Sequence, residues 1–141
     1  VVVGDGPEYA TFSNKIKEAN LEKNIRLMGF VSERDKFLTM QRSKLFIFPS
    51  YEEGWGIAVA EAIACGLEVV LYDLKAYNFS GNLVKVEKGN WRKMAEVIVE
   101  LIEKGMQIKD LDRQLNRSQS ILDWKVVAKE EMQIMGTMQL K

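Results

Sequence analysis

Short apolar runs alternate along this chain with longer amphipathic stretches, the pattern of a parallel sheet covered by helices. Residues 1–4, 25–28, 45–48, 68–72 and 83–86 read as five strands. After the first, Asp5-Gly6-Pro7-Glu8 supplies a turn, a proline suited to the first helical position and an acid in the first turn. The helix it opens runs to about Asn20, with Phe12, Ile16 and Ala19 on one face. Ser32 and Asp35 stand in capping-box positions before a helix carrying Phe37, Leu38 and Met40. The third run, 45–48, is wholly apolar, as in a strand buried on both faces. A loop over 49–56 leads to a helix of small apolar residues over 57–65, stopped by Gly66. Residues 90–104 are amphipathic through Met94, Val97, Ile98, Leu101 and Ile102. Two further helical stretches follow at about 111–120 and 124–135. The expected architecture is one doubly wound α/β domain over 1–141 with C-terminal helices.

Composition narrows the chemistry. Lys plus Arg and Asp plus Glu both total 20, so the formal net charge is zero and no long-range field draws in nucleic acid or an anionic membrane. Any anion must therefore be captured locally. Cys65 is the single cysteine and cannot close an intrachain disulfide, and no metal-ligand cluster is visible, so no metal is expected. These features fit a reducing cytoplasm. No apolar run approaches the ~20 residues of a membrane span. Histidine, the commonest general base, is absent. Residues 1–4 lack the features of a signal peptide and read as a strand entered in mid-domain.

In open parallel sheets, ligands bind where strands end and helix N-termini point into the crevice. The segment 48–61, from Phe48 through Glu53-Gly54-Trp55-Gly56-Ile57-Ala58 to Glu61, sits at such an edge. Gly54 and Gly56 let the backbone turn and approach a ligand. The amides of Gly56, Ile57 and Ala58 lie at the open start of a helix, where unpaired N–H groups and the helix dipole suit a phosphate. A plain strand-loop-helix turn using glycine for geometry is the alternative. Glu61 sits in a helix that is apolar nearly all round, so burial is expected, and an ionised carboxylate there needs partners. Vicinal sugar hydroxyls would serve, as would backbone or a basic side chain. Glu53, eight positions earlier on the loop, places a second carboxylate near the other end of an extended ligand. Glu52 reads as a solvated charge, and Trp55 either lines the crevice or plugs the core.

These residues resemble a known family. Glu53-Gly54-Trp55-Gly56-Ile57 followed by Glu61-Ala62-Ile63-Ala64-Cys65-Gly66 is similar to the Glu-x7-Glu signature of family-four, GT-B-fold retaining glycosyltransferases, the glycosyl transferases group 1. Val3-Gly4-Asp5-Gly6-Pro7, Met28-Gly29-Phe30-Val31 and the strand ending at Ser50 resemble other pieces of it, in the family's order. The resemblance covers most of the first seventy residues and extends loosely to Asp123-Trp124. It implies a Rossmann-like fold equivalent to one half of a GT-B enzyme, the half that binds the nucleotide sugar.

By that resemblance Glu53 contacts the donor sugar as the catalytic-site acid, and the Gly56, Ile57 and Ala58 amides hold the diphosphate beside Gly54 and Trp55. Glu61 bonds the ribose hydroxyls, and Phe30 and Val31 meet the base. The donor is a nucleoside-diphosphate sugar, used as substrate with no resident cofactor or metal. Two departures stand out. Glu68 replaces a usual proline, and Asp73-Leu74-Lys75-Ala76-Tyr77-Asn78-Phe79 replaces a Gly-Gly-x-Pro-Glu-like loop, with Lys75 a conceivable cation for the phosphates. The expected function is hexosyl transfer to an unknown acceptor. The first strand and loop with their basic residues, and the acceptor domain, are expected upstream or on a partner chain. The cytoplasmic location would then become membrane-peripheral if that half attaches to a membrane. The competing readings are a non-catalytic nucleotide or carbohydrate module working with a partner, a homodimer among them, and part of a GT-B-like sugar-nucleotide epimerase.

Overall fold

The computed structural model describes residues 1–77 and 83–104. The helices expected at about 111–120 and 124–135 lie outside the described residues. The chain gathers into two compact units, Val1–Thr39 and the residues from Met40 onward.

In the first unit, the strands expected at 1–4 and 25–28 shrink to one isolated parallel bridge, Val2 with Leu27. The Val2 N–H donates to the Arg26 carbonyl and the Met28 N–H to the Val2 carbonyl, each at 2.9 Å. One more main-chain bond, from the Gly4 N–H to the Gly29 carbonyl at 2.9 Å, follows the bridge, but regular strand pairing ends there because Gly4 and Gly29 both take positive φ, at 132° and 63°, which glycine adopts without Cβ strain. Helix α1 spans Tyr9–Glu18 and buries Ile16. It starts after Glu8, so Pro7 falls in the preceding turn and not at the first helical position. Its end is a Schellman motif, Asn20 N–H to Lys17 O and Leu21 N–H to Ile16 O at 2.9 Å. Asn20 takes the left-handed conformation at φ 57°. Helix α2, Glu33–Gln41, opens as the sequence predicts: the Asp35 N–H donates to Ser32 Oγ at 3.1 Å, and the Ser32 hydroxyl donates to the Asp35 carboxylate at 2.6 Å.

The second unit is built on a parallel sheet ordered β1-β2-β3, formed by Leu45–Phe48, Glu68–Tyr72 and Leu83–Val86. Phe46 pairs with Val69 and Val70 with Val84, which fixes the register. The central strand is the core: Val69, Val70, Leu71 and Tyr72 are all buried. Each such side chain contributes about 1.5–3 kcal/mol of burial. Helix α3, Ile57–Ala64, crosses from β1 to β2, and helix α4, Trp91–Glu103, follows β3. Both pack against β2. Val70, Tyr72, Val86 and Met94 form the cluster beneath α4, flanked by Val97, Ile98 and Leu101. That cluster contains no α3 residue, so α3 covers the other sheet face, where Val69 and Leu71 alternate. The Asn90 side chain caps α4, accepting from the Lys93 N–H at 3.1 Å.

Two burial expectations need correction. β1 is the outer strand of this sheet and only half-buried, with Ile47 44% exposed, so its wholly apolar run does not mean cover on both faces. α3 buries Val59, Ala60, Ala62 and Ile63 but leaves Ile57 exposed and Glu61 half-buried. Hydrophobic residues commonly remain at the surface, so an apolar sequence overstated this helix's burial.

Candidate functional site

β1 and β2 are parallel neighbours, so the loops leaving their carboxyl ends emerge at one edge of the sheet. The first loop, 49–56, is tied down internally. The Ser50 hydroxyl donates to the Glu52 carbonyl at 2.8 Å. Tyr51 packs edge-on against Tyr72, at the end of β2, with ring centroids 5.4 Å apart, and the Lys88 ammonium lies 5.6 Å from the Tyr51 ring. Burial, then the neighbouring Tyr51, pushes the Tyr72 phenol up from its ordinary value.

The loop ends at Gly56, whose φ of 82° and ψ of 46° are left-handed. That residue is the N-cap of α3, and no side chain caps the helix. Its carbonyl accepts from the Val59 and Ala60 amides at 3.0 and 3.1 Å. The amides of Gly56, Ile57 and Ala58 bond to no acceptor among the described residues. Gly56 itself is buried, whereas Ile57 is 61% exposed and Ala58 half-buried. Two residues back, Gly54 is exposed, and a Cβ added there would meet nothing within 4 Å. Trp55 is 39% exposed, which removes the core-plug reading.

The second loop follows β2. The Tyr77 N–H donates to the Leu74 carbonyl at 3.1 Å, closing a turn over 74–77. Tyr77 is buried at 2% exposure and anchors that turn. Its phenol is pushed up to about 12 by burial and then by the negative charge of Glu53, so the two side chains are electrostatic neighbours. Glu52, Glu53 and Gly54 from the first loop and Leu74, Lys75 and Ala76 from the second line one cleft of about 540 Å³.

The geometry thus brings Glu53 and Gly54 into the cleft, and the same loop continues in sequence to the α3 start. Glu61 lies one turn into that helix, half-buried, and is not among the described cleft-lining residues. Phe30 and Val31 belong to the first unit, where Phe30 is 88% exposed and Val31 half-buried. The side chains of Leu74, Ala76 and Tyr77 were missed as cleft and anchor residues. The signal for Leu74 and Ala76 was available, since a parallel sheet offers the ends of adjacent strands together, but none marked Tyr77 as the buried anchor. Among the described residues, no group of three or more His, Cys, Asp or Glu could hold a metal. No described helix is long and apolar enough to cross a membrane.

Known proteins resemble this chain in sequence and fold. A 2-deoxystreptamine N-acetyl-D-glucosaminyltransferase of Niallia circulans is 33% identical over 70 residues, covering 50% of this chain and 18% of that protein. The GtfA subunit of a UDP-N-acetylglucosamine–peptide N-acetylglucosaminyltransferase from Limosilactobacillus reuteri is 26% identical across 98% of this chain and 28% of its own length. The chain therefore spans well under a third of these relatives. The crystal structure of TarM superposes with a TM-score of 0.68 at 24% identity, over 90% of this chain and 26% of that one. At that identity the likeness speaks for the fold, and it agrees with the Rossmann-like half of a GT-B architecture. The model of the glycosyl transferases group 1 matches residues 1–119, and the chain belongs to that family.

Proposed function

We propose that this chain is the donor-binding domain of a retaining glycosyltransferase, which moves a hexosyl group from a nucleoside-diphosphate sugar to an acceptor held by another domain or chain. The observation that carries this reading is the cleft at the β1–β2 edge, walled by Glu53 and Gly54 and continuous in sequence with the uncapped start of α3. Glu53 would meet the sugar hydroxyls, with Gly54 and Trp55 beside it. The three amides at Gly56, Ile57 and Ala58 would hold the diphosphate, where a helix start offers about half a positive charge. Glu61 would accept from the ribose hydroxyls, a role that its half-buried position serves without the cost of full desolvation. In the first unit, Phe30 presents an exposed ring suited to stacking on a base, with Val31 beside it.

The leaving nucleoside diphosphate carries about two or more negative charges, more than one helix start balances. Catalysis in this reading needs cationic side chains beside the helix start, with no resident metal, and an acceptor site outside these residues. The isolated chain then binds nucleotide weakly and transfers sugar negligibly. Relatives described as subunits, the L. reuteri GtfA subunit and the GPI3 subunit of a yeast phosphatidylinositol N-acetylglucosaminyltransferase, support work alongside another chain. A cytoplasmic site of action, membrane-peripheral if the acceptor half attaches there, belongs to the same proposal.

The test is an equilibrium titration of uridine, guanosine and adenosine diphosphates against the wild type and Glu61→Ala. Loss of a charged hydrogen bond should weaken the preferred nucleotide by about 1–3 kcal/mol. Unchanged affinity removes Glu61 from the site. Robust turnover by the isolated chain contradicts the need for a second half.

A further inference from the structure

The cleft that Glu53 lines is completed by the turn over residues 74–77. Its tip is Lys75, exposed, between Leu74 and Ala76. The turn is held at its closing bond, Tyr77 N–H to Leu74 O, and by the buried Tyr77 ring. Such an anchored turn presents its second residue from a fixed backbone position, while the four-carbon stem lets the ammonium swing to meet a ligand.

We propose that Lys75 binds the sugar-linked phosphate of the donor, forming the cationic wall of the Glu53 cleft. This rests on the donor-binding reading above and assigns the charge partner that reading needs. The described lining holds two carboxylates, Glu52 and Glu53, and one ammonium, Lys75. A diphosphate drawn toward Glu53 meets like charge, so a cation in the same cleft is required for both to be occupied together. Lys75 is placed for it. Ion pairs among the described residues include Lys36 with Glu33, Lys85 with Asp73, Lys93 with Glu96 and Lys104 with Glu100, and Lys75 belongs to none of these. A lysine in a carboxylate-lined cleft, with no ion-pair partner among the described residues, is available to a phosphate at little cost in broken contacts.

The experiment titrates the chain with uridine, guanosine and adenosine diphosphates and with the matching monophosphates, over a range of salt concentrations. The variants are Lys75→Gln, Lys75→Arg and, as a control outside the cleft lining, Lys85→Gln. Lys75→Gln should weaken the preferred diphosphate about 5–10-fold, the scale of one charge-assisted hydrogen bond. The monophosphate should stay within about twofold, the salt dependence should flatten, and Lys75→Arg should restore most of the loss. Lys85→Gln should leave all of these unchanged. Equal weakening of mono- and diphosphate, an unchanged diphosphate, or a loss that merely follows a lowered melting temperature overturns the role of Lys75. If the wild type binds none of the three diphosphates, the donor reading itself fails, and this inference with it. If the wild type binds and Lys75→Gln binds equally well, only the inference fails.

Discussion

Gly54 and Gly56 lie two residues apart on the same loop, yet the structure gives them different jobs, and alanine at each should separate those jobs. Gly56 sits at φ 82°, where an L side chain costs about 1–2 kcal/mol. It is also buried, so an added methyl must be fitted into packed surroundings, at about 1–3 kcal/mol when neighbours have to move. Against this, alanine reduces unfolded-state entropy by about 0.4–1 kcal/mol. The net for Gly56→Ala is a loss of about 1–4.5 kcal/mol, or roughly 3–15 °C in melting temperature for a chain of this size. Gly54 lies outside the left-handed region, and a Cβ there meets open space. Gly54→Ala should therefore leave stability unchanged or raise it by up to about 1 kcal/mol. Its methyl would instead stand in the cleft and weaken nucleotide-sugar binding. Thermal and urea unfolding of both variants, followed by donor titration of Gly54→Ala, reads the two effects. An unshifted midpoint for Gly56→Ala or a destabilised Gly54→Ala refutes the reasoning.

The remaining predictions concern the supports of the same edge. Tyr77 titrates near 10.0 when unfolded and at about 12 when folded. The neutral phenol is thus favoured by the fold, its contribution is complete below pH 10, and stability should fall between pH 10 and 12. Tyr77→Phe should flatten that fall in urea midpoints measured across the range, leaving a remainder from Tyr72, whose phenol is also raised. Glu53→Gln should shift the Tyr77 titration, followed by ultraviolet difference absorbance, toward lower pH, since the Glu53 charge is one of the two causes raising it. Asn90→Ala removes the cap on the Lys93 amide and should cost about 1 kcal/mol in thermal unfolding, with little effect on donor binding.

Much of this was legible because strands and caps are local. The runs at 45–48, 68–72 and 83–86 were bounded to the residue, since each is a block of apolar or β-branched side chains between polar or glycine punctuation. Ser32 with Asp35 and the stop at Gly66 were readable for the same reason. What failed was any quantity that depends on what lies across the fold. The apolar residues at 1–4 and 25–28 suggested strands, but glycines turn the backbone away after a single bridge. The apolar helix over Glu61 suggested a buried carboxylate, yet the cover reaches fully only Val59, Ala60, Ala62 and Ile63 and leaves Glu61 half-buried. For the candidate site, the first loop announced itself through its two glycines and Glu53. The neighbouring Tyr77 did not, because nothing in a loop sequence says that a tyrosine will be buried beside a carboxylate far upstream.

The passage from β1 through α3 to β2 ends in a Schellman motif, Gly66 N–H to Ile63 O and Leu67 N–H to Ala62 O, directly before the central strand. The helix is therefore clamped at its far end by main-chain bonds, and its near end inherits that placement through only eight residues. Side chains along the loop can be exchanged without retuning the scaffold that aims the three amides. Under the donor-binding role proposed above, substitution at the rim would change sugar preference while the three amides kept their aim, a division of labour that suits one architecture to many glycan products.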